Sequence, residues 1–389
     1  MLPILLVAQF WGTSLWFAAN AVMPDLQRAH GWPERLGATL ASVLQAGFVL
    51  GTLSFAVWAV ADRFPARRVF LASCLAGALA TLAMLWRPQD PTWVMACRAV
   101  SGFCLAGIYP VGMKIASQWY RQGLGAALGA LIAALILGSA FPHALRALAD
   151  SGWAWPWQGT IVGVAALVAM GGLLLYFALP DPPQAPAAAH AFDWRALASL
   201  WTLPKVRASV GGYFGHMWEL YTMWVIVPLL LAQRLNGTAW SWAAFMCLGA
   251  GVLGCAWGGW MAQRWGSARV ATAMLATSGL CCLVGPFMVD APDAWFYGWL
   301  VVWGFSVTGD SPQFSALTAT NAPPHAVGSV LTLTNGLGFC LSIASIELFS
   351  ALGQHVAWGA LLPGLALGPA LGVWMMRPLF VKLNTGPGT

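Results

Sequence analysis

Long apolar runs separated by short polar loops fill the chain from end to end. A helix needs about 20 predominantly apolar residues to cross the hydrocarbon core of a bilayer. Twelve stretches meet that length: 3–23, 36–61, 68–86, 91–118, 124–147, 155–179, 206–232, 239–262, 269–289, 293–318, 326–349 and 355–376, numbered segments one to twelve below. Most connecting loops hold Pro, Gly, Asp or Arg. The stretch 180–204, which opens PDPPQAPAAAH, is longer, polar and rich in Pro and Ala. The pattern predicts an all-α membrane protein of twelve transmembrane helices, with one six-helix bundle over 1–179, a cytoplasmic linker over 180–204 and a second six-helix bundle over 205–389.

Parts of the pattern recur. Residues 93–110 read WVMACRAVSGFCLAGIYP and 295–312 read WFYGWLVVWGFSVTGDSP. At an offset of 202, Trp93, Val100, Gly102, Phe103, Gly107 and Pro110 match Trp295, Val302, Gly304, Phe305, Gly309 and Pro312. At an offset of 201, Arg63, Arg68 and Val69 match Arg264, Arg269 and Val270. Separately, Pro24 at the end of segment one answers Pro228 in segment seven. One match would mean little in a chain rich in Gly and Trp; three in one order predict two copies of a six-span unit. Parallel repeats are a transporter design in which the solute site lies near the midplane between the copies.

Composition supports this reading. Only 8% of the residues are charged and 59% are hydrophobic, with a mean hydropathy of +0.72. A soluble domain carries about 25% charged residues, so most of this surface must face lipid. The formal charge of +6 comes from basic residues scattered at the ends of apolar runs, which reads as topology rather than nucleic-acid binding. With both termini in the cytoplasm, eleven Lys and Arg residues, among them Arg121 and Lys382, fall inside and five outside, which favours that orientation. The eight cysteines lie within apolar runs and form no CxxC pair, so neither a disulfide framework nor a zinc site is expected. The start of the chain lacks the charged region and cleavage pattern of a signal peptide.

These residues resemble the major facilitator superfamily over essentially the whole chain. That family carries GxxxDRxGRR between its second and third spans. Here WAVADRFPARRV supplies Asp62, Arg63, Arg67 and Arg68, with Trp58 and Pro65 where glycines are usual. The second-half copy, GWMAQRWGSAR, keeps Gly259, Arg264, Gly266 and Arg269 but has Gln263 for the acid. Arg98 followed by AVSG fits the family's fourth span. Segment five lacks the Gly-Pro pair typical of the family's drug/proton antiporters, which argues against drug efflux. The resemblance implies that segments one, four, seven and ten line the solute cavity. An Asp62 carboxylate at a helix end can latch the halves together, with Arg63, Arg68, Arg264 and Arg269 as gating residues; the plainer alternative is that these arginines only anchor topology.

Five ionisable residues fall inside the runs, where each costs about 2.5–3.5 kcal/mol at a helix centre. Glu219, near the middle of segment seven, is the candidate proton-coupling group. His216, one turn earlier, is its candidate relay or hydrogen-bond partner. A structural hydrogen bond from Glu219 to another helix is the alternative. Asp310 precedes Ser311-Pro312, where a kink is expected; it is a gate or ion site, or pairs with Lys114 across the halves. Arg98 cannot shed its proton and needs a partner, either a solute anion or a resident carboxylate. Lys114 contacts solute or snorkels to the interface, and Glu347 is interfacial. Gln9, Thr13, Trp16 and Asn20 recur at helical spacing and predict a polar, aromatic cavity wall. Mid-span Tyr109, Tyr213 and Tyr221 are further wall candidates.

The expected function is secondary transport of a small organic or inorganic anion by proton-coupled alternating access, as a symporter, with Arg98, Lys114, Gln9, Trp16, Asn20, Tyr109, Tyr221 and Asp310 as the solute site. The runner-up is proton-antiport efflux of an amphipathic or cationic compound held by Glu219 and Asp310. No ATP-binding loop, metal-ligand cluster or nucleophile constellation appears, which argues against a pump, an enzyme, a metal or a cofactor. The expected partners are the solute, protons and the bilayer, not nucleic acid. A monomer in the inner (plasma) membrane is expected.

Overall fold

The structure, a computed structural model, describes residues 1–33, 35–120, 124–150, 157–180, 193–323 and 326–380, and every regular element among them is helical. Arg121, Lys382, residues 181–192 of the predicted linker and the Asp62 side chain lie outside the described residues. Ten helices are long and apolar enough to cross a membrane, and they cover segments two to nine, eleven and twelve. Segments one and ten are assembled from shorter pieces. Segment one comprises Leu2–Thr13, Ala18–Ala21 and Met23–His30; segment ten comprises Asp293–Gly309 and Ser311–Asn321.

The break at Asp310 falls where Pro312 predicts it. Segment four breaks at the matching place, between Pro91–Leu105 and Tyr109–Trp119, with Pro110 opening the second piece. Proline suits the first turn of a helix because its missing N–H would have had no intrahelical partner there. The break in segment one, over Ser14 to Phe17, contains neither Pro nor Gly; its cause is tertiary and is taken up below.

Helices in the two halves of the sequence keep corresponding neighbours. Segment two packs on four, three on four and six, and one on five and six. Likewise eight packs on ten, nine on ten and twelve, and seven on eleven and twelve. Between the halves, segment two meets eleven and segment five meets eight. Glycines set the closest contacts within each half. A Cβ on Gly47 or Gly51 would run into the carbonyls of Ala99 and Phe103 in segment four. Gly254 and Gly258 of segment eight stand in the same relation to Phe305 and Gly309 of segment ten. The repeated Gly102 and Gly304 press back on the Leu44 and Cys247 carbonyls. Small residues let membrane helices approach to backbone contact, which is what this repeat encodes.

Candidate functional site

Arg98 accounts for the break in segment one. Its side chain is fully buried; Nη1 donates to the Leu15 carbonyl at 2.8 Å and Nη2 to the Trp16 carbonyl. Helical hydrogen bonding is interrupted at these residues, and a planar guanidinium can serve two acceptors at once. The expected partner of Arg98, a carboxylate or a solute anion, is thus replaced by main-chain carbonyls. Arg98 acts as a brace for the unwound turn that carries Trp16 and Phe17.

That turn delivers Trp16 to the other half of the sequence. Trp16 stacks on Tyr221 at 5.7 Å and contacts Phe339 at 5.7 Å and Phe48 at 5.1 Å. Phe48 meets Phe339 at 4.8 Å, and Phe17 meets Trp224 at 5.3 Å. Beside this cluster the Ser342 hydroxyl donates to Gln45 Oε1 at 2.6 Å, joining segments two and eleven. Because the helix breaks after Thr13, the four spaced residues of segment one do not share one face. Gln9 is buried against Gly112 of segment four, and Asn20 Nδ2 donates to the Gly37 carbonyl at 2.8 Å. Thr13 turns back to the Gln9 carbonyl.

The buried acids diverge in the same way. Glu219 is fully buried and accepts from Ser278 Oγ at 2.8 Å, Trp303 Nε1 at 2.5 Å and Cys282 Sγ at 3.2 Å. His216 does not reach it. The His216 Nδ1 atom lies 2.8 Å from Asp310 Oδ1, both side chains fully buried. Residues three apart on a helix point about 60° apart, enough to send Glu219 toward segments nine and ten and His216 toward the break in segment ten. Asp310 therefore meets His216 rather than Lys114, whose Nζ donates to the Ala61 carbonyl at 2.5 Å. Glu347 is exposed on segment eleven.

A cavity between the halves is lined by Tyr109, Ser139, Tyr213, Tyr221, Ser311, Ser315 and Asn335 among apolar side chains such as Ile132, Leu220 and Phe339. No charged side chain is among its described lining residues. Tyr109 and Tyr221 stand where the sequence predicts; Arg98, Lys114, Gln9 and Asp310 do not reach this wall. Tyr213 and Ser311 do, with His216 and Asp310 directly behind them: the Tyr213 ring lies 5.9 Å from that of His216.

At the loop motifs, Arg63, Arg68, Arg264 and Arg269 are exposed and make no ion pair among the described residues. Arg264 lies over the Trp260 ring, while Arg67 reaches the Leu179 carbonyl and the Tyr176 ring. One buried pair escapes the sequence reading. Arg146 meets Asp25 through Nε at 2.8 Å and Nη2 at 2.9 Å, tying segment five to segment one. The five basic residues placed outside by the charge count include Arg146, which hides the pair; its position inside an apolar run, four residues before an aspartate, is the signal.

Many apolar helices packed as a repeated set around a shared cavity define the class: a multi-pass membrane protein. The model of the Major Facilitator Superfamily matches residues 5–346. The chain is also 27% identical, over 303 residues, to the uncharacterized MFS-type transporter YcxA of Bacillus subtilis (strain 168), covering 72% of this chain and 70% of that protein. The chain belongs to the major facilitator superfamily, and membership implies secondary transport of a solute.

Proposed function

We propose that this chain is a proton-coupled secondary transporter of a small organic solute that combines an apolar body with hydrogen-bond-accepting oxygens. The observation that carries this reading is the wall of the central cavity, where three phenols, three serines and an asparagine stand among apolar side chains with no described charge. A bare inorganic ion would meet no counter-charge there, whereas an organic solute would meet both donors and apolar contacts. With Arg98 engaged by carbonyls, the solute's charge has no fixed counter-ion at this wall.

Alternating access between two six-helix bundles, 1–179 and 205–389, with twelve spans in all, is supported by the matched neighbours in each half and the cross-half seams of segments two with eleven and five with eight. Termini in the cytoplasm are part of the proposal on the charge balance of the loops, with a monomer in the inner membrane as the simplest arrangement. Coupling fits the His216–Asp310 pair best. An imidazole can take up and release a proton, and this one stands behind the cavity wall within reach of a carboxylate. Solute arriving at Tyr213 and Ser311 can then be sensed by the proton-carrying pair.

A thermal-shift screen of the purified protein against organic acids, sugars, inorganic anions and cationic amphiphiles identifies a solute. Proteoliposomes under an imposed pH gradient then test the coupling. Asp310→Asn is expected to abolish pH-driven accumulation while leaving solute exchange; accumulation by the parent that ignores the gradient rejects it. Binding without flux would instead indicate a receptor built on the same scaffold.

A further inference from the structure

A second cavity lies farther along segments seven and eleven, beyond the aromatic cluster. Asn20, Gln27 and Arg35 line it from one half, and Trp224, Gln354 and Trp358 from the other. Trp224 belongs to the walls of both cavities.

Its chemistry differs from that of the central cavity. The Arg35 side chain is exposed and makes no hydrogen bond or ion pair with a described residue. Three other lining residues carry buried polar atoms with no partner: Trp224 Nε1, Gln27 Nε2 and Asn20 Oδ1. Trp224 is only 4% exposed, and its indole N–H has no partner among the described protein groups. Orphan donors in such a place are unfavourable unless something meets them. No Asp or Glu is among the described lining residues. The wall thus offers one fixed cation, two N–H donors and a single orphan acceptor.

We infer that this cavity is a separate binding site for a small organic anion, with a carboxylate on Arg35 and the apolar body against Trp224 and Trp358. A guanidinium matches a carboxylate in shape and charge, and aromatic walls favour a flat apolar body. The N–H groups of Gln27 and Trp224 supply further donors. The site lies apart from Tyr213 and Ser311, so it can fill before or after the transported solute moves.

Equilibrium dialysis of radiolabelled benzoate against the purified full-length protein in a neutral detergent tests this. Saturable binding in the millimolar range or tighter is expected, with benzamide, the uncharged counterpart, at least about tenfold weaker. Arg35→Gln should lower benzoate affinity about tenfold and erase the preference over benzamide. Arg35→Lys should keep the preference, and Gln27→Leu should weaken both ligands. The inference is overturned if benzoate does not bind, if it binds no better than benzamide, or if Arg35→Gln and Gln27→Leu both leave its affinity at the parental value. Each variant is compared at an unchanged melting temperature; should Arg35→Gln not fold, Arg35→Lys and Gln27→Leu decide. Equilibrium binding needs no transport cycle, so failure here leaves the transport reading standing, and absence of flux leaves this site standing.

Discussion

Trp16 and Tyr221 stack across the two halves of the chain, their rings 5.7 Å apart and within 14° of parallel. Tyr221 and Phe339 line the central cavity and Trp16 and Phe48 pack against them; on the proposed cycle, a solute moving on toward the second cavity must part this stack. An aromatic pair contributes only about 0.5–1.5 kcal/mol beyond its buried area, little enough for the contact to open and reform in each cycle.

Trp16→Ala should join the two cavities. The expected result is a leak of solute down its gradient without proton movement, and a loss of roughly 3–5 kcal/mol of stability by the large-to-small rule for aromatic residues. Trp16→Phe keeps a ring against Phe48 and Phe339 and should stay coupled. Proton and solute fluxes measured together in proteoliposomes separate the two variants.

Glu219→Gln should preserve pH-driven accumulation, in contrast to Asp310→Asn. Its cost is structural: a glutamine has one acceptor oxygen where the carboxylate receives Ser278, Trp303 and Cys282 on two. Trp303 and Cys282 share the oxygen a glutamine keeps, and Ser278 can donate to the Leu275 carbonyl and accept from the new amide. The cost should therefore stay at about 1 kcal/mol, read as a small drop in melting temperature. Loss of pH-driven uptake with an unchanged melting temperature would move the coupling role from Asp310 to Glu219.

The two ways of breaking the Asp25–Arg146 pair should differ, because Asp25 also accepts from the exposed Arg28 at 2.8 Å: Asp25→Asn removes the carboxylate from both arginines, whereas Arg146→Met leaves Asp25 a partner. Asp25→Asn is expected to cost about 3–5 kcal/mol and Arg146→Met less, with the double substitution costing less than the sum of the two. A double-mutant cycle on thermal unfolding measures the coupling; additive losses would count against a direct pair.

Gly102→Val and Gly304→Val should fail alike, since each added side chain meets backbone that cannot turn aside. Overpacking costs about 1–3 kcal/mol where side chains can yield, and more is expected here. Gly249→Val has open space and serves as the control. Yield of folded protein from membranes reports all three.

The helices and their repeat are legible in the sequence because lipid imposes length and apolarity on each span, and Gly102 and Gly304 announce the tight seams. Pro312 likewise announces the break in segment ten. The break in segment one is not legible: nothing between Thr13 and Phe17 disfavours a helix as strongly as proline, and the cause, Arg98, comes from another segment. The partners of the buried charges are hidden for the same reason. Spacing puts His216 near Glu219 on one helix, but which neighbouring helix each faces depends on packing that a single segment does not encode. Asp310 and Ser278 take the two in different directions.

Carbonyl-deep contacts such as those of Gly47 and Gly254 leave no slack for sliding by less than a whole helical turn. On the proposed cycle, displacement then falls on the two lines where side chains merely interleave, one of them carrying the Ser342–Gln45 hydrogen bond and the Phe48–Phe339 contact. Each half would travel as a stiff block while a thin strip of side chains takes up the shear, so variants that tilt the balance between inward and outward states should gather along that strip and spare the glycine joints.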